Sequence, residues 1–167
     1  GREIVFEGLK LTEEKLKTVN RIEIVACGSA YHAGMVGKYV LEEMLRIPTS
    51  IDYASEYRYR NPIVDDKTLT IIISQSGETA DTLAALKEAK KRGSHTLSIV
   101  NVVGSSIANA SDDVIYTWAG PEIAVATTKG YTTQLSVIYL IAVWAARILK
   151  TMDSDRVEKI FDDICRL

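Results

Sequence analysis

Two kinds of pattern take turns along the 167 residues of this chain: short apolar runs with no polar face, and longer stretches whose apolar positions recur at helical spacing. Arg21-Ile22-Glu23-Ile24-Val25-Ala26 and Leu69-Thr70-Ile71-Ile72-Ile73 are short and β-branched, the pattern of strands buried on both faces. Ser50 to Ala54, Thr96 to Val100 and Asp113 to Tyr116 repeat it in weaker form. Helical stretches fall between them. Tyr31 to Leu45 is ended near Pro48, and Ala80 to Arg92 has strong helix formers, basic residues in its last turn and Gly93 as its stop. After a short turn at Ser105 to Ala108 and a loop from Trp118 to Thr127, a long helix runs to about Lys150, and Ser154 to Cys165 adds an amphipathic one. Glu56 to Asn61, before Pro62, is polar and aromatic and carries no clear period.

Strands that alternate with helices imply a parallel sheet covered on both faces. The expectation is an α/β fold: a three-layer, doubly wound, five-stranded parallel sheet in the flavodoxin-like order 2-1-3-4-5. No repeat, low-complexity stretch or linker divides the chain, so residues 1–167 read as a single domain, with 1–20 as an N-terminal linker and helix and 153–167 as a C-terminal helix.

Such a sheet binds ligands beyond the carboxyl ends of its strands, where the strand order reverses. In this order the reversal lies between the first and third strands, so Cys27-Gly28-Ser29-Ala30 and Ser74-Gln75-Ser76-Gly77-Glu78-Thr79 are predicted to face one another. The second turn has the stronger chemistry. A helix N-terminus presents unpaired amides and partial positive charge, and holds an anion without lysine or arginine. Hydroxyls of Ser74, Ser76 and Thr79 and the amide of Gln75 complete such a shell, while Gly77 lets the backbone come close. The plainer alternative is that Thr79 and Ser29 are helix caps and Cys27 a small buried residue. Three hydroxyls within six residues favour a ligand.

Composition narrows the classes. A net charge of −2 gives no reason to expect nucleic acid or an anionic membrane as partner. The most apolar stretch, Val137 to Ala146, is shorter than the roughly twenty residues of a membrane span, and reads as a buried or subunit-facing helix. A helix so apolar makes a homodimer an expectation. The N-terminus has no basic and apolar leader, and Cys27 and Cys165 stand in no metal or redox spacing, so a reduced, cytoplasmic protein without metal or cofactor is expected. Nucleotide loops do not fit: at Gly37-Lys38 the G-x-x-x-x-G-K-[ST] pattern meets His32 and Tyr39 where glycine and a hydroxyl belong, and G-x-G-x-x-G is missing. A flavodoxin has a hydroxyl-rich loop, but after its first strand.

Four segments together are more specific. Cys27 to Gly34 (CGSAYHAG), Ala54 to Arg60 (ASEYRYR), Ser74 to Thr82 (SQSGETADT) and Ala119 to Lys129 (AGPEIAVATTK) resemble, in order, the first sugar isomerase domain of the glutamine:fructose-6-phosphate aminotransferases, the glucosamine-6-phosphate synthases. The S-Q-S-G-E-T segment belongs to sugar isomerase domains at large; the other three point to this enzyme family. The resemblance implies that Ser74, Gln75, Ser76 and Thr79 hold the phosphate of fructose 6-phosphate or glucosamine 6-phosphate. It further implies that Ser29 and Ala30 lie against the sugar and that the Val125 to Thr127 segment lines its other side. Ala30 stands where the family has serine and Ser29 where it has threonine, while Ala124 and Thr127 stand where glycine and serine are common.

By the same resemblance, the partners are a glutaminase domain and a second sugar isomerase domain in a longer chain, with the second domain supplying most acid–base groups. Isomerisation needs a base to move a proton between C1 and C2. Glu78 reads as a carboxylate favouring its own helix N-terminus, His32 as a surface residue, His95 as partnerless in sequence and Lys129 as a helix anchor. No catalytic residue is therefore assigned in this segment, which is expected to bind sugar phosphate and to be inert alone. A non-catalytic sugar-phosphate sensor shares the same loop and is the alternative. A flavodoxin-like redox module is disfavoured by an aromatic content of 7%, which offers few rings to sandwich a flavin.

Overall fold

The computed structural model describes residues 4–122 and 127–166. In chain order the elements are α1 (Glu13–Thr18), β1 (Arg21–Ala26), α2 (Ser29–Leu45), β2 (Thr49–Tyr53), α3 (Ala54–Tyr57), β3 (Thr68–Ser74), α4 (Ala80–Lys91), β4 (His95–Val100), α5 (Ser106–Ala110), β5 (Asp113–Tyr116), α6 (Lys129–Leu149) and α7 (Ser154–Ile164). The five strands form one sheet in the order β2-β1-β3-β4-β5. Every pairing is parallel, with Ala26 opposite Ile73 and Ile73 opposite Ile99. The expected topology is the observed one.

Side chains one residue apart on a strand face opposite layers. Ile22, Ile24, Ile71, Ile73, Leu97 and Ile99 point to the layer of α2 and α6, with Leu16 of α1 and Phe161 of α7 behind. Val25, Ile72 and Val100 point to the other layer, against Tyr57 of α3, Leu86 of α4 and Ile107 of α5. Fully burying one such side chain contributes about 1.5–3 kcal/mol. The α2 layer packs close because of Gly34: a Cβ there would lie 2.9 Å from Ile24 Cγ2.

Several boundaries differ from the sequence expectation. α2 begins at Ser29, two residues early, because Gly28 takes the positive φ of 58° that turns the chain into the helix. Ser105 to Ala108, expected as a turn, holds the N-cap and the first residues of helix α5, and Ala54–Tyr57 closes into the short helix α3. α6 is 21 residues with a mean hydropathy of 1.5 in its most apolar window, so by length and composition alone it is long enough to cross a membrane. The length distinction drawn from Val137 to Ala146 does not hold. Its buried residues instead pack against α2, α1 and α7, the disposition of a core helix.

One partnership was not visible in the sequence. The Asp113 carboxylate is 2% exposed and accepts from the amides of Lys10 (2.5 Å) and Leu11 (2.9 Å), with His95 Nε2 at 2.6 Å. This ties the irregular segment before α1 to the feet of β4 and β5.

Candidate functional site

The strand order reverses between β1 and β3, and the turns that follow them line one open cleft of about 230 Å³. Ser74, Gln75, Ser76 and Thr79 line it from the β3 side, Ser29 and Ala30 from the β1 side, and Thr127 from the approach to α6. Val125 lies outside the described residues. Cys27, Gly28, Ile73, Thr82 and Gln134 complete the wall, and none of the described lining residues carries a formal charge.

The β3 turn is held by its own hydroxyls. Ser74 is buried at the end of β3, and its Oγ accepts the Gly77 amide (3.1 Å) and shares a hydrogen bond with Thr79 Oγ1 (3.3 Å). The exposed Ser76 Oγ accepts the Glu78 amide at 3.2 Å. A hydroxyl that accepts one N–H keeps its own proton to donate, so Ser76 can hold the loop and an anion together. The carbonyls of Gln75 and Gly77 are turned away, taken by the amides of Asn101 (3.1 Å) and Ile107 (2.9 Å). Gly77 has φ 68°, and a Cβ on it would overlap Ser105. Only glycine fits there.

Thr79 stands at the N-cap of α4, but its side chain makes no capping bond. The first helical bond is Leu83 N–H to Thr79 O at 2.9 Å, which leaves the amides of Ala80, Asp81 and Thr82 without a helical acceptor. On the other side Gly28, not Ser29, is the N-cap of α2, and it too has no side-chain bond. Ser29 is thus inside α2 and not its cap, while Thr79 is the cap of α4 in position without a capping bond. Cys27 is half-buried, and its Sγ accepts from Thr82 Oγ1 at 3.7 Å.

The neighbouring helix ends are occupied. Glu78 accepts from the Ser106 amide and hydroxyl, both at 2.7 Å, so it serves α5 and not its own helix. The Ser106 hydroxyl and then its amide hold the Glu78 carboxyl below its ordinary range. Glu122 Oε2 accepts from Thr127 Oγ1 (2.7 Å) and the Gly130 amide (3.2 Å), which meets the start of α6. His32 is exposed on α2 beside Tyr31, and Lys129 is exposed at the start of α6; neither lines the cleft. Among the described residues no group of three or more His, Cys, Asp or Glu side chains is placed to hold a metal.

Gln134 was missed by the sequence reading. It is buried, reaches the cleft from α6, and interrupts the stripe of apolar residues by which that helix packs. A single amide among such positions was the available signal.

Fold and cleft define a doubly wound α/β domain with an open cleft at the switch point, whose described lining offers hydroxyls and amides and no cationic side chain. The chain belongs to the SIS domain family, whose model matches residues 15–144. It is 58% identical over 165 residues to the "Glutamine--fructose-6-phosphate aminotransferase [isomerizing]" of Caldanaerobacter subterraneus subsp. tengcongensis, covering 99% of this chain and 27% of that protein. Its counterpart from Thermus thermophilus is 46% identical over 151 residues, covering 90% and 25%. This chain thus spans about a quarter of the length of such relatives. Among solved structures, the C-terminal domain of glucosamine-fructose-6-phosphate aminotransferase from Francisella tularensis matches with TM-score 0.88 and 39% identity, over 95% of this chain and 45% of that one. Glucosamine-6-phosphate deaminase from Thermotoga maritima matches with TM-score 0.72 and 27% identity, over 92% and 46%.

Proposed function

We propose that this chain is the first sugar isomerase domain of an isomerising glutamine:fructose-6-phosphate aminotransferase, and that its cleft binds fructose 6-phosphate or glucosamine 6-phosphate. The carrying observation is the turn from Ser74 to Thr79: three hydroxyls line one cleft at the start of α4, whose first amides have no helical acceptor, with no carboxylate in the described lining. Ser74, Gln75, Ser76 and Thr79 take the phosphate, and Ser29, Ala30 and the 125–127 segment take the sugar. The similarity to aminotransferases of that name, and the matching motifs over nearly the whole chain, support the substrate class.

The described lining offers hydrogen-bond donors but no histidine, lysine or carboxylate to move a proton between C1 and C2. The chain alone therefore binds without turnover, and the proton-transfer groups come from a second sugar isomerase domain in the longer chain, with ammonia from a glutaminase domain. Calorimetric titration with fructose 6-phosphate, fructose and inorganic phosphate tests the reading. Binding of the first and not of the second is the expected result; equal binding of both sugars overturns it.

A further inference from the structure

Along α6 the buried stripe runs Gly130, Gln134, Val137, Ile138, Ile141 and Ala142. Gln134 is 1% exposed, and its Oε1 has no hydrogen-bond partner among the described residues. A buried amide oxygen left unpaired is unfavourable, whereas a methionine of similar size fills such a place without that cost. Gln134 also forms part of the cleft wall, so the group that completes its amide can arrive with a ligand.

The two ends of the cleft differ in chemistry. At the α4 end, the hydroxyls of Ser76 and Thr79 and the opening amides are donors, suited to a group that only accepts. At the α6 end, the Gln134 amide offers an NH2 donor and a carbonyl acceptor, and its buried Oε1 requires a donor. A phosphate dianion satisfies the first end and has no proton for Oε1. A hydroxyl, which both donates and accepts, satisfies the amide.

We propose that Gln134 reads the polyol part of the bound ligand: its Oε1 accepts a hydrogen bond from a sugar hydroxyl and fixes which way round the molecule lies. The phosphate sits at the start of α4 and the hydroxyl-bearing carbons extend toward α6. The assignment rests on the sugar-phosphate reading above and adds to it a specificity-determining residue and an orientation.

The test uses the 167-residue chain and Gln134→Met, titrated with fructose 6-phosphate and with inorganic phosphate. The variant is expected to lose about tenfold in affinity for fructose 6-phosphate, the worth of one hydrogen bond, and to keep its affinity for inorganic phosphate within about twofold. An unchanged affinity for the sugar phosphate, or equal losses for both ligands, overturns the role of Gln134. As a check independent of the variant's folding, the side-chain amide resonances of Gln134 in the unaltered protein should shift on adding fructose 6-phosphate and not on adding phosphate. Resonances that stay in place with both ligands overturn it equally. An unaltered protein that binds neither ligand removes the sugar-phosphate reading itself, which is a different outcome from binding that ignores residue 134.

Discussion

Apart from the four-residue α3 that follows β2, four helices begin near the carboxyl ends of this sheet, and the chain treats them in two ways. At α5 and α6 a carboxylate of the protein itself meets the opening amides, Glu78 on Ser106 and Glu122 on Gly130. At α2 and α4, Gly28 and Thr79 stand at the cap, and neither contributes a side-chain hydrogen bond. Each helix start carries roughly half a positive charge. Two of the four are thus met at their opening amides by carboxylates of the protein itself, while the caps of the pair flanking the switch point offer no side-chain bond. Helix starts as such do not mark the site; the difference in what meets them does.

Asp81 in the first turn of α4 is paired with Arg58 at 2.8 Å, so a carboxylate placed at the cap itself should erase that difference. Thr79→Asp places an acidic side chain at the cap, where it satisfies the first-turn amides and occupies the anion position. Fructose 6-phosphate affinity is expected to fall by roughly 100-fold or more, since like charges brought together cost several kcal/mol, while the melting temperature holds or rises. Calorimetry beside a thermal melt reads both, and retained binding would place the anion elsewhere. Gly77→Ala attacks the loop from the opposite direction. A side chain at φ 68° that also overlaps Ser105 should destabilise the fold by about 2–4 kcal/mol and weaken binding with it, measured by urea denaturation.

A smaller effect sharpens the comparison. Ser76→Ala removes one donor from an exposed turn and is expected to cost about 1–2 kcal/mol of ligand binding, roughly tenfold, with stability nearly unchanged. Equal affinity in titrations of the two proteins would reduce Ser76 to a loop fastener. The smallest effect is at the filled end of α5. The carboxyl of Glu78 is held below its ordinary value of 4.5 by Ser106, so its contribution to stability is present above that pH and is lost as the pH falls through its folded value. Glu78→Gln should therefore be less stable than the parent at pH 7 and approach it in acid, which urea midpoints at pH 7 and pH 3 compare. A constant gap across that range would mean that charge plays no part.

The sheet was legible because parallel strands buried on both faces leave long apolar runs, and β1 and β5 have the bounds that the sequence predicts. The placing of the turns of β1 and β3 side by side followed from strand order alone. What escaped is what depends on distant pairing. Glu78 looks like the dipole partner of its own helix, yet it reaches Ser106, 28 positions away, because α5 is set beside the β3 turn. His95 meets Asp113 across two strands whose register no local pattern reveals. α3 and α5, at four and five residues, are too short for a period to show. Gln134 passes as an ordinary helix former until the burial of its neighbours is known.

A cleft without lysine or arginine in its described lining also has kinetic consequences. Amides and hydroxyls attract an anion only at close range, so the net charge of −2 gives a phosphate ester no long-range pull toward the site. Capture should proceed without electrostatic steering and change little between low and physiological ionic strength. Selectivity among phosphate esters then resides in how long each one stays.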